Sequence, residues 1–235
     1  MNDICIISGA GVSAESGIST FRDADGLWEG HDVMEVASPQ GWMNNQELVL
    51  DFYNQRRRQL KNVVPNLGHT SLVELENHFD VTVITQNVDN LHEKAGSSNV
   101  IHLHGELTKV RSTGPSEAVQ LWENDLNTGQ LCSDGYQLRP HIVWFGEQVP
   151  MIEKATEVIV NCNICIVVGT SMQVYPAAGL VSYLPNTAKI YFVDPKPTIN
   201  YELGALKDRL EIYPLKASEG IPQVVAKIIA EKISI

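Results

Sequence analysis

Four short clusters hold residues whose types and spacing suit nucleotide chemistry. Gly9-Ala10-Gly11-Val12-Ser13-Ala14 fits the pattern G-x-G-x-x-A. Glycines there let the backbone approach a pyrophosphate, and the start of a following helix offers free N–H groups. Such a turn also joins strands to helices where no nucleotide binds, so the pattern alone does not decide. TQNVDNLHEKAG, from Thr85 to Gly96, supplies Gln86, Asn87 and Asp89. Their amide and carboxylate groups suit a ribose or a carboxamide; the plainer reading is a turn that caps the next helix. VIHLHGEL holds His102 and His104, which strand alternation would put on one face. His104, at the strand end beside Gly105, is the general-base candidate. VVGTSMQVYPAAG brings Gly169 and the hydroxyls of Thr170 and Ser171, which suit phosphate or ribose oxygens.

A hydride-transfer enzyme would need a second strand after the first helix, ending in an acid about 20 residues on to hold the ribose. That region here is GISTFRDADGLWEG, with Arg22, Asp23 and Asp25 among glycines. It reads as a mobile loop. A dinucleotide is therefore expected, but a dehydrogenase is not. The loop could instead close over the nicotinamide end and exclude water.

The clusters need a scaffold, and the apolar runs describe one. Strands are expected at Asp3–Ser8, Val81–Thr85, Val100–Leu103, Ile164–Val168, Lys189–Val193 and Glu211–Leu215. Helices are expected at about 45–62, 69–78, 151–160, 176–184 and 219–233. Near-continuous apolar strands imply burial on both faces. The alternation of strands and helices predicts an α/β fold, a doubly wound Rossmann-like parallel sheet. Three of the clusters begin where an expected strand ends, and strand C-termini are where open α/β sheets bind ligands. Residues 107–141 are polar, turn-rich and without clear periodicity, and read as a small inserted module in a single catalytic domain over 1–235.

Hydrophobic residues make up 43% of the 235 and charged residues 19%, with a net charge of −11. Nothing in this draws the chain to nucleic acid or an anionic membrane. No apolar run approaches the length of a membrane span. MNDICIIS lacks the basic start and cleavage site of a signal peptide, and four scattered cysteines give no disulfide framework. A cytoplasmic monomer is expected.

With the clusters in this order the chain resembles the sirtuins, the NAD-dependent protein-lysine deacylases, over nearly its whole length. GAGVSAESGISTFRD, TQNVDNLHEKAG, HLHGEL, RPHIVWFGE and GTSMQVYPAAG carry the resemblance. The resemblance implies that Gly9, Ala10, Gly11, Ala14, Phe21 and Arg22 cradle NAD. It implies that Gln86, Asn87 and Asp89 hold nicotinamide and its ribose, with Asn87 and Asp89 catalytic alongside the general base His104. Gly169, Thr170, Ser171 and Asp194 would face the adenosine side; the family usually has asparagine where Asp194 stands. Val143, Phe145, Gly146 and Glu147 would line the acyl-lysine tunnel and pair in β fashion with the substrate backbone. In the chemistry the resemblance implies, nicotinamide departs, the acyl oxygen attacks the ribose, and His104 takes a proton from a ribose hydroxyl. The products are free lysine, nicotinamide and O-acyl-ADP-ribose.

Tyr53 and Arg56 are three apart in LDFYNQRRRQL and share a helix face. The bland reading is an inward aromatic and a solvated arginine. The resemblance offers a sharper one. A sirtuin subgroup that removes succinyl and malonyl groups carries such a Tyr-x-x-Arg pair with an alanine upstream, here Ala37. The family's structural zinc needs two cysteine pairs, but residues 107–141 hold Cys132 alone, and Ser112 stands where the first cysteine would be. No zinc is expected, and Leu121, Trp122, Leu126 and Tyr136 are expected to hold the module instead. Cys162 and Cys165, on opposite strand faces by alternation, are expected to be small buried hydrophobes. The rival readings are an NAD hydrolase or ADP-ribosyltransferase on the same scaffold, or a non-catalytic sensor of NAD or acyl-lysine.

Overall fold

A computed structural model describes residues 3–19 and 27–233. Among them eleven strands form: β1 Asp3–Ser8, β2 Leu27–Trp28, β3 His31–Asp32, β4 Asp80–Thr85, β5 Val100–His102, β6 Gly105–Ser112, β7 Val119–Leu121, β8 Leu138–Ile142, β9 Ile164–Val168, β10 Lys189–Val193 and β11 Leu210–Tyr213. Six of them make a parallel sheet in the order β11-β10-β9-β1-β4-β5. The α/β expectation holds, and each expected strand is present with ends shifted by at most two residues.

Alternation within the strands serves two cores. Ile4, Ile6, Val83, Ile166, Val168 and Val193 face one side and pack with the helices Leu67–Glu74 and Ala217–Ile233. Cys5, Ile7, Ile84, Val167, Ile190 and Phe192 face the other and pack with Ile152–Ile159 and the 3-10 helix Ala177–Tyr183. That last element was expected to be α-helical; Pro176 before it and Gly179 within it oppose a longer helix. Burial on both faces is why these strands read as unbroken apolar runs.

The inserted stretch is ordered as a three-stranded antiparallel sheet, β7-β6-β8. It packs on the helix Gln46–Leu60, which Asn45 caps through Oδ1 to Leu48 N–H (3.0 Å). Phe52, Tyr53 and Leu60 from that helix meet Leu107, Val110, Leu126, Leu138, Ile142 and Trp144 in a third core. No helix among the described residues is long and apolar enough to cross a membrane.

Cys162 lies just before β9 rather than in it, so strand alternation does not govern it. It shares one core with Cys5 and Cys165, its Sγ 2.7 Å from that of Cys5. The opposite-faces expectation is therefore corrected, while the expectation of small buried groups holds.

Candidate active site

The candidate residues gather at one edge of the parallel sheet. β1 runs into Gly9, Ala10 and Gly11, β4 into Gln86, Asn87 and Asp89, β9 into Gly169, Thr170 and Ser171, and β10 into Asp194. From β1 the chain builds outward through β4 and β5, then returns to β1's other side for β9, β10 and β11. The switch point lies between β1 and β9, and open α/β sheets bind ligands there.

Two loops cross at that point. Gly9 N–H donates to Val168 O (3.0 Å) and Gly11 N–H to Gly169 O (2.8 Å). A Cβ on Gly11 would lie 2.7 Å from Gly169 Cα. Gly169 has φ +59°, and a Cβ there would lie 2.3 Å from Val12 N. These glycines thus serve a backbone crossing as well as any ligand approach. The helix after them is a single turn, Gly11–Ala14, with Ala14 exposed. Asp194 is buried at the same edge and accepts from Lys196 N–H (2.8 Å). Gln86 Nε2 bridges to Thr170 Oγ1 (3.0 Å), tying two clusters together. Ser171 is partly exposed beside them.

The loop after β4 is gripped through consecutive carbonyls. Leu103 N–H donates to Thr85 O (2.9 Å) and Leu107 N–H to Val88 O (2.8 Å). Between them, His104 Nδ1 meets Gln86 O at 2.9 Å and His102 Nδ1 meets Asn87 O at 3.0 Å. A carbonyl only accepts, so each Nδ1 carries a proton. His104 Nε2 then holds a lone pair, the tautomer that a base requires. Burial pushes the His104 pKa down, partly offset by the bond to Gln86. The imidazole is therefore neutral at pH 7 and able to take a proton. His104 stands in a turn after β5, so the expected shared strand face with His102 is not what brings the two rings together.

Ser13 completes the floor. Its Oγ donates to Asp89 Oδ2 (2.9 Å) and receives Asn87 Nδ2 (3.2 Å), while Asn87 Nδ2 also reaches Gly9 O (3.1 Å). Asp89 Oδ1 accepts from Leu91 N–H (3.0 Å), so the helix-capping reading holds as well. Burial raises the Asp89 pKa, and the bonds from Leu91 and Ser13 oppose that.

On the other side of His104, Val143 N–H donates to His104 O and Phe145 N–H to Ala37 O (2.9 Å each). Ala37, Tyr53 and Trp144 pack in one buried cluster, and Trp144 Nε1 donates to Tyr53 Oη (3.0 Å). Burial raises the Tyr53 pKa. Arg56 lies one turn on, its guanidinium carbon 4.4 Å from the Phe52 ring centre. Among the described residues, its Nε and Nη1 are buried without a hydrogen-bond partner. The stretch 143–147, expected to pair with a substrate backbone, lies beside His104 and Ala37. It is not a strand, and the N–H groups of Val143, Trp144, Phe145 and Glu147 all donate within the chain. Gly146 makes the turn with φ +89°. Glu147 is clamped by Arg139 (2.7 and 3.1 Å) and Arg111 (3.3 Å). Burial alone would raise its pKa, but the arginines outweigh it and hold the carboxyl below the usual range.

A sequence profile of the Sir2 family matches residues 9–176, spanning every cluster except Asp194. The chain belongs to the Sir2 family. It is similar to a protein named NAD-dependent protein deacylase from Helicobacter pylori (strain ATCC 700392 / 26695), 60% identical over 83% of this chain and 86% of the relative. The relative of that name in Bacteroides thetaiotaomicron is 50% identical over 95% of this chain and 97% of its own. Among solved structures, a Sir2 homologue in complex with NAD superposes with TM-score 0.85 at 36% identity, covering 97% of this chain and 90% of that one. A mutant Sir2 homologue in complex with 2'-O-acetyl ADP ribose gives the same TM-score and identity over 99% and 94%.

Within this Sir2 chain, Phe21 and Arg22 and the loop around them lie outside the described residues. The tip of the insert is organised by Asp134. Its Oδ2 accepts from Ser112 Oγ (2.7 Å) and Ser116 N–H (3.1 Å), and its Oδ1 from Tyr136 N–H (3.1 Å). The Ser112 bond leads in holding its carboxyl below the usual range. Leu126 is fully buried and Trp122 packs on the third core, as expected of module contacts. Leu121 (70% exposed) and Tyr136 (53%) are corrections: they lie on the outer side of the module, and Cys132, Leu107 and Val110 fill the core instead. Sequence reading also missed Ser13, Trp144 and Glu93. Ser13 was visible inside the glycine motif; the other two act through contacts distant in sequence.

Proposed function

We propose that this Sir2-family chain is an NAD-dependent protein-lysine deacylase that prefers acidic acyl groups, succinyl and malonyl, and also takes acetyl. The relatives named NAD-dependent protein deacylase, up to 60% identical, support the general activity. The acyl preference rests on one observation: among the described residues, Arg56 Nε and Nη1 are buried without a partner, one turn from Tyr53. Buried charged donors without a partner are costly and rare, and a carboxylate is their natural complement. Tyr53 accepts from Trp144, which leaves its own O–H to donate.

NAD fits the sheet edge at the switch point, where the loops at Gly9, Gly11 and Gly169 cross without side chains and the buried Asn87, Asp89 and Thr170 supply polar groups. When bound it supplies an electrophilic ribose carbon that the acyl oxygen can reach. Asn87 and Asp89 orient the ribose end, Ser13 keeps both in place, and His104 Nε2 takes the hydroxyl proton. The nucleotide product is then O-acyl-ADP-ribose, in keeping with the Sir2 homologue complexed with 2'-O-acetyl ADP ribose.

The family's structural zinc does not fit the insert. Cys132 is the one thiol in 107–141, and Ser112 is spent on Asp134. One thiolate cannot complete a tetrahedral site, and the Asp134 bonds hold the turns such a metal would hold. The test of the acyl preference is the ratio of kcat/KM for succinyl-lysine over acetyl-lysine in one peptide sequence, with saturating NAD. A ratio above ten is expected; a ratio below one would remove the acidic preference and leave a deacetylase.

A further inference from the structure

Four successive carbonyls, Thr85 to Val88, are held by donors from residues 102–107, and His102 is the least explained of these. Its ring is buried, with a side chain 6% exposed. Both ring nitrogens face groups that only accept: Asn87 O at 3.0 Å from Nδ1, and Glu93 Oε1 at 2.6 Å from Nε2. A neutral imidazole has one N–H and can satisfy one of these contacts, leaving a lone pair against an oxygen. With Glu93 ionised, both contacts are satisfied by the imidazolium alone.

We propose that His102 is a buried imidazolium, held by Glu93, that positions the Asn87–Asp89 loop for NAD. This rests on the reading above, in which Asn87 and Asp89 serve the ribose end. The charges around His102 agree. Glu93 faces it from the helix Leu91–Ala95, Glu106 from β6 and Asp89 from the loop; His92, buried on the same helix and neutral, adds no charge. Burial alone would lower the His102 pKa, but the Glu93 bond and charge, with the Asn87 carbonyl and Glu106, together outweigh it and the net shift is upward. Glu93 moves the opposite way, burial raising it and His102 more than offsetting that. Lys109, 2.7 Å from Glu106, supplies the other local cation. Three ligand atoms, one each from Glu93, His102 and Glu106, lie within 4.8 Å of one another, a spacing a divalent ion could use. The 2.6 Å contact between His102 and Glu93 favours a proton there instead.

His102 is thus a positioning residue that acts through the Asn87 carbonyl and through its charge behind Asp89. The sign of the pH effect follows. With a raised pKa, His102 keeps its proton to higher pH than a free imidazole does and loses it as pH rises further. Glu93→Gln removes the charge that holds the proton, so His102 becomes neutral at lower pH.

The test is the ¹⁵N spectrum of histidine-labelled full-length protein, with the His102 signals identified by their loss in His102→Gln. Chelator-treated native protein is expected to show two protonated ring nitrogens at pH 7. In Glu93→Gln one should lose its proton by pH 7.5 and regain it on acidification. In parallel, KM for NAD in Glu93→Gln should rise on the order of tenfold at pH 8, with kcat within about threefold, and approach the native value at pH 6. A merely structural role would shift Tm without this pH-linked KM change. One unprotonated nitrogen in the native protein at pH 7 would overturn the proposal. So would a Glu93→Gln KM ratio that is constant from pH 6 to 8, or native signals that change on chelation. If no NAD is turned over, the deacylase reading fails, while the spectrum still decides the state of His102.

Discussion

Arg56→Met is the perturbation that isolates the acyl preference. Met keeps an apolar stem and removes the guanidinium, whose carbon lies 4.4 Å from the Phe52 ring centre. Nε and Nη1 are buried with no partner among the described residues, which leaves their hydrogen bonds for an acidic acyl group. Hydrogen bonds to a charged partner contribute about 1.5–3 kcal/mol. At about 1.4 kcal/mol per tenfold, kcat/KM for a succinyl-lysine peptide should fall by about 10- to 150-fold. An acetyl peptide carries no carboxylate, so its kcat/KM should change less than about twofold, and Tm should hold or rise because two orphaned donors are gone. Arg56→Lys keeps a charge without the planar fork and should fall between. The assay is steady-state kinetics on the matched peptides by mass spectrometry. Equal losses on both peptides would refute the reasoning and make Arg56 a general structural residue.

Further expectations come from other parts of the site. Burial lowers the His104 pKa, so kcat/KM should fall on acidification with an apparent pKa below 6.5; a limb at or above 6.5 contradicts its assignment as the base. Gly169→Ala combines φ +59° with a 2.3 Å approach to Val12 N, so it should lose more than about 1–2 kcal/mol of stability by urea unfolding. His69 and His92 are buried, their pKa values pushed down to about 4 and about 3 by burial. As pH falls from about 6.5 toward those values the unfolded chain takes up protons that the native chain refuses. Stability should therefore drop by up to about 1.4 kcal/mol per pH unit for each, read from urea midpoints; a flat profile from pH 7 to 5 would contradict it.

The parallel sheet was legible because burial on both faces leaves unbroken apolar strands such as ICIVV and KIYFV, and because Gly, Asn and Asp mark the strand ends where ligands bind. The clusters at Gly9, Gln86 and Gly169 were legible for that reason. The insert was not. β6 is interrupted by a register shift between Glu106 and Val110, which erases the alternation, and its tip is held by Asp134, whose partners are spread from Ser112 to Tyr136. Cys162 misled because the strand begins two residues later. The turn at 143–147, made by Gly146 at positive φ and the Glu147–arginine clamp, leaves no periodic signal in the sequence. Long-range polar pairs such as Trp144–Tyr53 and His102–Glu93 leave no periodic trace in a sequence.

The central claim is that this chain transfers acyl groups from lysine to the ribose of NAD without zinc. The most direct measurement incubates the full chain with NAD and a succinyl-lysine peptide, with and without a chelator, and follows peptide and nucleotide by mass spectrometry. Free peptide and O-succinyl-ADP-ribose in equal amounts, unchanged by the chelator, is the predicted result. Cleavage of NAD to ADP-ribose with the peptide intact would contradict the account and make the chain an NAD hydrolase.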